Sequence, residues 1–244
     1  MIRFLSSGIF GFRKRFEGMS VRMKAVVVLF TLSMLLAVVV IRRIFVHKRL
    51  TFDQKVFGFL NNHVNDRNNA IMKFFTFLGT HQFLMPANLT LISYYLFVRK
   101  EKWNSIKIPT IALSSLGLMF LLKYIFHRER PHDPLLFEAA GLSFPSGHAL
   151  MSVNFYGLLI YIIFKNIDNK EAKWSLTAVL LLLILVIGFS RVYLRVHYAS
   201  DVIAGYCIGL MWLVGMVWGM NGLEKYLRIT NYDLQFLPRL QRSY

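Results

Sequence analysis

Three polar clusters between Lys123 and Asp201 carry the residue types that could do chemistry in an otherwise apolar chain. The first is Lys123-Tyr-Ile-Phe-His-Arg-Glu-Arg130-Pro131, in which a lysine and an arginine stand seven residues apart, close to two helical turns. The second is Pro145-Ser146-Gly147-His148, directly ahead of a new apolar run. Ser146 has the chemistry of a helix N-cap, and Gly147 lets backbone approach a ligand closely. The first free N–H groups of a helix beginning there would face an anion, with the helix dipole behind them. The third is Ser190-Arg191-Val-Tyr-Leu-Arg-Val-His197-Tyr-Ala-Ser-Asp201. On a helix beginning at His197, that residue and Asp201 share one face. An aspartate that accepts from one imidazole nitrogen fixes the tautomer and leaves the other nitrogen to attack. Arg191 ends the preceding apolar run and can grip phosphate oxygens with both arms of its fork.

Fixed cations, an anion-binding helix start, two histidines and one carboxylate are the parts of a phosphoryl-transfer site that works without a metal. Each cluster alone has a plainer reading: a lysine snorkelling at a helix end, a capped helix with a chance histidine, a structural His–Asp pair. All three in order at the edges of apolar runs outweigh those readings. Arg128 and Arg195 add positive field. His127, Glu129, His132 and Asp133 lack a metal-ligand spacing and read as loop polarity, so neither a metal nor another cofactor is expected.

The elements that must position these residues are membrane helices. The chain has 244 residues, 56% of them hydrophobic, and a mean hydropathy of +0.48. That is too apolar for an ordinary soluble domain, and several runs approach the ~20 residues that cross a bilayer. The net charge of +17 sits mostly between those runs, which favours membrane topology and anionic lipid over nucleic acid. Cys207 is the only cysteine, so no intrachain disulfide forms, and its apolar setting makes it a buried bystander.

The reading is all-α: a polytopic bundle of six transmembrane helices, near residues 25–41, 83–98, 108–126, 148–164, 174–190 and 202–220. Residues 42–80, where Phe52, Phe57, Phe59 and Leu60 alternate with polar residues, read as one amphipathic helix on the outer surface. Residues 1–24 form a basic cytoplasmic segment rather than a signal peptide, residues 25–221 the helical domain, and residues 222–244 a cytoplasmic tail. The N-terminal segment, the 99–107 and 165–173 loops and the tail hold 17 of the 29 lysines and arginines, which places them and both termini in the cytoplasm. The clusters then face the extracytoplasmic side of an inner or plasma membrane. Arg42, Arg43, Lys48 and Arg49 fit that scheme badly. The sequence sets no oligomeric state.

The three clusters closely resemble the signature of the type 2 phosphatidic acid phosphatase superfamily, Lys-x6-Arg-Pro, Pro-Ser-Gly-His and Ser-Arg-x5-His-x3-Asp, with no position departing from it. The resemblance implies a lipid phosphate or pyrophosphate phosphatase. Its substrates would be of the undecaprenyl pyrophosphate, phosphatidylglycerophosphate, phosphatidate or lipid A type. It makes His197 the nucleophile of a phosphohistidine intermediate, Asp201 its orienting partner, and His148 the general acid and then base. Lys123, Arg130, Ser146, Gly147 and Arg191 would hold the phosphoryl oxygens. The partners implied are the lipid substrate and membrane lipids. The same residues would serve a lipid-to-lipid phosphotransferase, and the fold could carry a catalytically silent lipid-binding protein. A vanadate haloperoxidase fits the pocket but not the membrane composition. A transporter would place its charges at mid-bilayer rather than at one edge.

Overall fold

The computed structural model describes residues 18–48, 50–135 and 140–236, and every regular element among them is helical. Helix α1, Val21–Ile41, starts at Ser20, whose side chain accepts from the Met23 N–H, and runs on through a π-helical stretch, Arg42–Val46. Two short helices follow, α2 (Thr51–Asn61) and α3 (Asp66–Phe77). Helix α4, His81–Ser93, also continues as a π-helical stretch, Tyr94–Val98. Then come α5 (Lys102–Phe126), α6 (Gly147–Asn166), α7 (Lys170–Tyr193) and α8 (Ala199–Phe236).

Among the described residues five helices are long and apolar enough to cross a bilayer: Val21–Val46, Lys102–Phe126, Gly147–Asn166, Lys170–Tyr193 and Ala199–Ile229. Their outer faces stay apolar, with Leu32, Leu113, Phe120, Leu182 and Trp218 exposed, as expected where hydrocarbon rather than water is the solvent. The expected crossing near residues 83–98 forms a helix, but His81, Gln82, Asn88 and Thr90 dilute its apolar character, and it falls outside that group.

Helix α6 is the central element and packs against α5, α7 and α8. Its approach to α8 is set by glycine. A Cβ on Gly205 would stand 2.8 Å from the Ser146 carbonyl oxygen, and one on Gly209 would stand 3.0 Å from that of Leu150. This is the small-residue seam by which membrane helices come into backbone contact. It brings the start of α8 against the start of α6, where Ser146 N–H donates to the Asp201 carbonyl at 3.1 Å.

The 42–80 stretch differs from the single surface helix expected. Asn65 interrupts it as an N-cap, accepting from Asn68 N–H at 2.8 Å, because a short amide side chain satisfies a helix-start donor better than a continued helix would use it. The outer faces of the resulting pair are apolar, with Phe59 69% exposed and Phe74 59%. The inner faces are built into the bundle: Leu60 packs with Tyr193, Val196 and Val202, while Asp53 and Thr76 are buried. Tyr193 and Tyr156 hydroxyls donate to the His63 and Leu78 carbonyls at 3.0 and 2.8 Å. Helix α4 starts close to His148, where a Cβ on Gly79 would meet the ring at 3.1 Å. It ends with the Tyr95 hydroxyl 3.3 Å from Asn166, the last residue of α6.

Candidate active site

The three clusters meet at one end of the bundle because consecutive helices run in opposite directions. Lys123 lies in the last turn of α5, Gly147 opens α6, Arg191 lies in the last turn of α7, and Asp201 lies in the first turn of α8. The basic loops at 99–102 and 165–173 lie at the opposite end.

His197 sits just before α8 and is 1% exposed. Asp201, fully buried, is fixed by three donors. Arg128 Nη1 reaches Oδ1 at 2.5 Å, and Ser143 Oγ and Tyr198 N–H reach Oδ2 at 2.5 and 3.1 Å. The expected His–Asp pair is present but indirect, with His197 Nδ1 3.9 Å from Asp201 Oδ2, beyond hydrogen-bond reach. Ser143 bridges the gap, its Oγ lying 3.3 Å from Nδ1. With its hydroxyl donating a hydrogen bond to the carboxylate, Ser143 Oγ can accept one from Nδ1–H, the tautomer that leaves Nε2 its lone pair. That nitrogen lies 3.4 Å from Arg130 Nη1. Burial pushes the imidazole down to about 4, against the pull of Asp201 and with Arg130 and Arg191 reinforcing it, so His197 is a neutral base at ordinary pH.

The cations are held in place by backbone carbonyls and, for Arg191, by a side-chain hydroxyl. Lys123 Nζ donates to the Leu142 carbonyl. Arg130 donates from Nε to the Gly141 carbonyl at 2.9 Å and from Nη1 to the Val196 carbonyl at 2.6 Å. Both clasp the loop that leads into α6. Arg191 donates from Nη1 to Thr76 Oγ1 at 2.6 Å. Among the described residues, Ser146 Oγ, His148 Nε2 and Arg191 Nε are buried without a hydrogen-bond partner. Ser146 occupies the N-cap position of α6, as expected, yet its side chain makes no capping bond, so its hydroxyl stays available. Gly147 has a packing reason besides ligand approach, since a Cβ there would stand 2.6 Å from Met119 Sδ.

Sequence reasoning missed Asp53, Thr76, Gly79, Ser143 and Ser200. It also read Arg128 as a source of field, whereas the side chain is 8% exposed and ion-paired to both Asp53 and Asp201. The signal for Arg128 was its place two residues before Arg130. His127, Glu129, His132 and Asp133 are exposed, and among the described residues no three His, Cys, Asp or Glu side chains group as a metal cage. Arg42 and Arg43 are exposed at the site end of α1. Arg49 lies outside the described residues.

A backbone of apolar helices carrying, at one edge, a neutral buried imidazole beside fixed guanidinium groups and a helix start defines an integral membrane phosphate-ester hydrolase. The chain belongs to the PAP2 superfamily, whose family model matches residues 105–225. It is 29% identical over 164 residues to phosphatidylglycerophosphatase B of Bacillus subtilis, covering 66% of this chain and 78% of the relative. It is 28% identical over 134 residues to the putative undecaprenyl-diphosphatase YbjG of Escherichia coli, covering 52% of this chain and 63%, under two thirds, of that relative. The crystal structure of the transmembrane PAP2 type phosphatidylglycerolphosphate phosphatase from Bacillus subtilis superposes with a TM-score of 0.69 at 24% identity, over 82% of this chain and 96% of the other. That of Aquifex aeolicus LpxE superposes with a TM-score of 0.54 at 23% identity, over 67% and 93%. These two likenesses establish the shared fold.

Proposed function

We propose that the protein removes phosphate from a lipid phosphate or pyrophosphate through a phosphohistidine, and does so without a metal. The observation that carries this reading is the division of His197 into two roles. Nδ1 is tied through Ser143 to Asp201, and Nε2 lies beside Arg130. In the first step Nε2 attacks phosphorus, an N–P bond forms, and the P–O bond to the lipid breaks. His148 gives its proton to the departing oxygen. In the second step His148 takes a proton from water, the water oxygen bonds phosphorus, and the N–P bond breaks to release inorganic phosphate and restore both histidines. Lys123, Arg130 and Arg191, with Ser146 and the Gly147 N–H, carry the charge that builds on the phosphoryl oxygens.

The substrate class follows from depth. The site lies at the membrane edge, where a lipid's phosphate lies while its chains remain among the helices. The relatives' names point to phosphatidylglycerophosphate and undecaprenyl pyrophosphate, and phosphatidate and lipid A phosphate complete the set to test. Six crossings and cytoplasmic termini, with the site on the extracytoplasmic side, are the topology that goes with this reading. Helix α4 and its π extension supply the sixth crossing. Its 18 residues, His81–Ser93 and Tyr94–Val98, span about 27 Å, near the ~30 Å of a hydrocarbon core.

The test is phosphate release from those four lipids in detergent with EDTA, wild type beside His197→Ala and His148→Ala. Wild type releases phosphate from at least one lipid, and each variant loses about 10³-fold or more of the rate. Full activity in His197→Ala removes the nucleophile from this account. Activity lost in EDTA and restored by magnesium removes the metal-free mechanism. Label that appears on a second lipid instead of as free phosphate identifies a phosphotransferase.

A further inference from the structure

Helix α2 reads as a surface helix, yet it delivers a carboxylate to the interior. Asp53 is 2% exposed. Its Oδ2 accepts from Arg128 Nη2 at 3.0 Å and from Ser200 Oγ at 2.7 Å, and its Oδ1 accepts from Ser200 N–H at 2.9 Å. Ser200 is the second residue of α8, so Asp53 satisfies one of that helix's unpaired donors from outside and complements its dipole. Arg128 lies between two carboxylates. Its Nη2 goes to Asp53, its Nη1 goes to Asp201 Oδ1 at 2.5 Å and to Ser200 Oγ at 2.9 Å, and its guanidinium carbon stands 4.0 Å above the Tyr198 ring centre.

A guanidinium held by one carboxylate can pivot about that contact. One pinned at both forks and stacked on an aromatic face cannot. The chain of contacts then runs from Asp53 through Arg128 to Asp201, and from Asp201 through Ser143 to His197 Nδ1. Neither Asp53 nor Arg128 touches the reacting atoms.

We propose that Asp53 is a positioning residue of the phosphoryl-transfer site. It acts through Arg128 to fix the Asp201 carboxylate and, through it, the ring of His197. This makes the membrane-surface helix α2 a working part of the site. The proposal rests on the phosphatase reading above.

The experiment measures kcat, KM and the inhibition constant of orthovanadate, a tetrahedral anion that mimics the transition state by becoming pentacoordinate when bound, for wild type, Asp53→Asn, Asp53→Glu, Arg128→Lys and Asp53→Asn/Arg128→Lys. Asp53→Asn is expected to lose about 10²-fold in kcat, the scale of a small misplacement of reacting groups. KM stays within about threefold and vanadate binding weakens about tenfold or more, because the loss falls on transition-state binding. The inhibition constant is read on active molecules alone, so a role confined to folding lowers kcat and leaves it unchanged. That result overturns the proposal. Adding Asp53→Asn to Arg128→Lys costs less than about threefold if Asp53 acts through Arg128, whereas fully additive losses overturn it. If Asp53→Asn does not accumulate, Asp53→Glu decides on the same terms, since it keeps the charge but moves the carboxylate. A wild type that releases no phosphate defeats the phosphatase reading. A wild type that does, beside Asp53 variants with its own vanadate constant, defeats only the positioning role.

Discussion

His197 is the residue on which burial has the largest chemical consequence. Water is excluded from the ring and two guanidinium groups stand near it, so its pKa falls from the ordinary value near 6.5 to about 4. The neutral ring is the form that can attack phosphorus. The sign of the linked stability effect follows. The unfolded chain binds a proton at this position below about 6.5, and the folded protein does so only near 4. Between those values unfolding takes up a proton, so folding stability contributed by the neutral ring is fully present above pH 6.5 and is lost as pH falls toward 4. Thermal unfolding in one detergent between pH 7 and 4 is expected to show a steeper fall for wild type than for His197→Gln. Parallel curves would mean that the ring titrates as it does in water. The signature positions were legible because lysine, arginine, histidine and aspartate stand out in an apolar chain. Ser143 was not, because a serine in a polar loop has no pattern around it. Asp53 and Thr76 were hidden for another reason. A polar residue on an amphipathic helix reads as facing water, and nothing local says that this helix turns that face inward.

Among the elements, the seam between α6 and α8 matters most to the site, since both helix starts contribute to it. Gly205 and Gly209 let the two backbones touch there, with Gly205 over the Ser146 carbonyl itself. Gly205→Leu must push α8 away from α6 and carry Asp201 from the end of α6. The expected outcome is a loss of about 1–3 kcal/mol of stability, the usual scale of an overpacked contact, with activity falling by more than the folded fraction does. Gly222→Ala, where a Cβ would meet nothing within 4 Å, is the control and should leave both unchanged. Equal effects from the two substitutions would show that the seam is not what places Asp201. Most helix positions could be read from apolar runs, but their ends could not. The structure starts α5 at Lys102 and carries α8 on to Phe236, because a helix backbone gains hydrogen bonds outside the apolar stretch as readily as inside it. The break between α2 and α3 was readable in principle from Asn65-Asp66, a helix-start pair. The aromatic rhythm across residues 52–60 obscured it.

At the scale of the whole molecule the question is which side of the membrane the site faces. Helices α5 to α8 put Lys123, Ser146, Arg191 and Asp201 at one end, and Arg99, Lys102, Lys165 and Lys170 at the other. The positive-inside rule assigns the second end to the cytoplasm. The cluster at Arg42, Arg43 and Lys48 works against that assignment, since α1 carries it to the site end. Exposed beside the site, these residues have the right charge to meet lipid phosphates at that end of the bundle, whichever leaflet it faces. Helix α4 decides the parity, because it passes from Gly79 beside His148 to Tyr95 beside Asn166. Single cysteines separate the alternatives in a background where buried Cys207 is changed to Ala. His132→Cys lies in the exposed loop at the site end, and Asp168→Cys lies in the loop between α6 and α7. In intact cells a membrane-impermeant maleimide is expected to label His132→Cys and to reach Asp168→Cys only after permeabilisation. The reverse pattern would turn the molecule over and put phosphate release in the cytoplasm. Arg22→Cys then tests the sixth crossing: it should behave like Asp168→Cys if α1 starts at the basic end, and labelling it together with His132→Cys would mean that the chain passes the membrane an odd number of times.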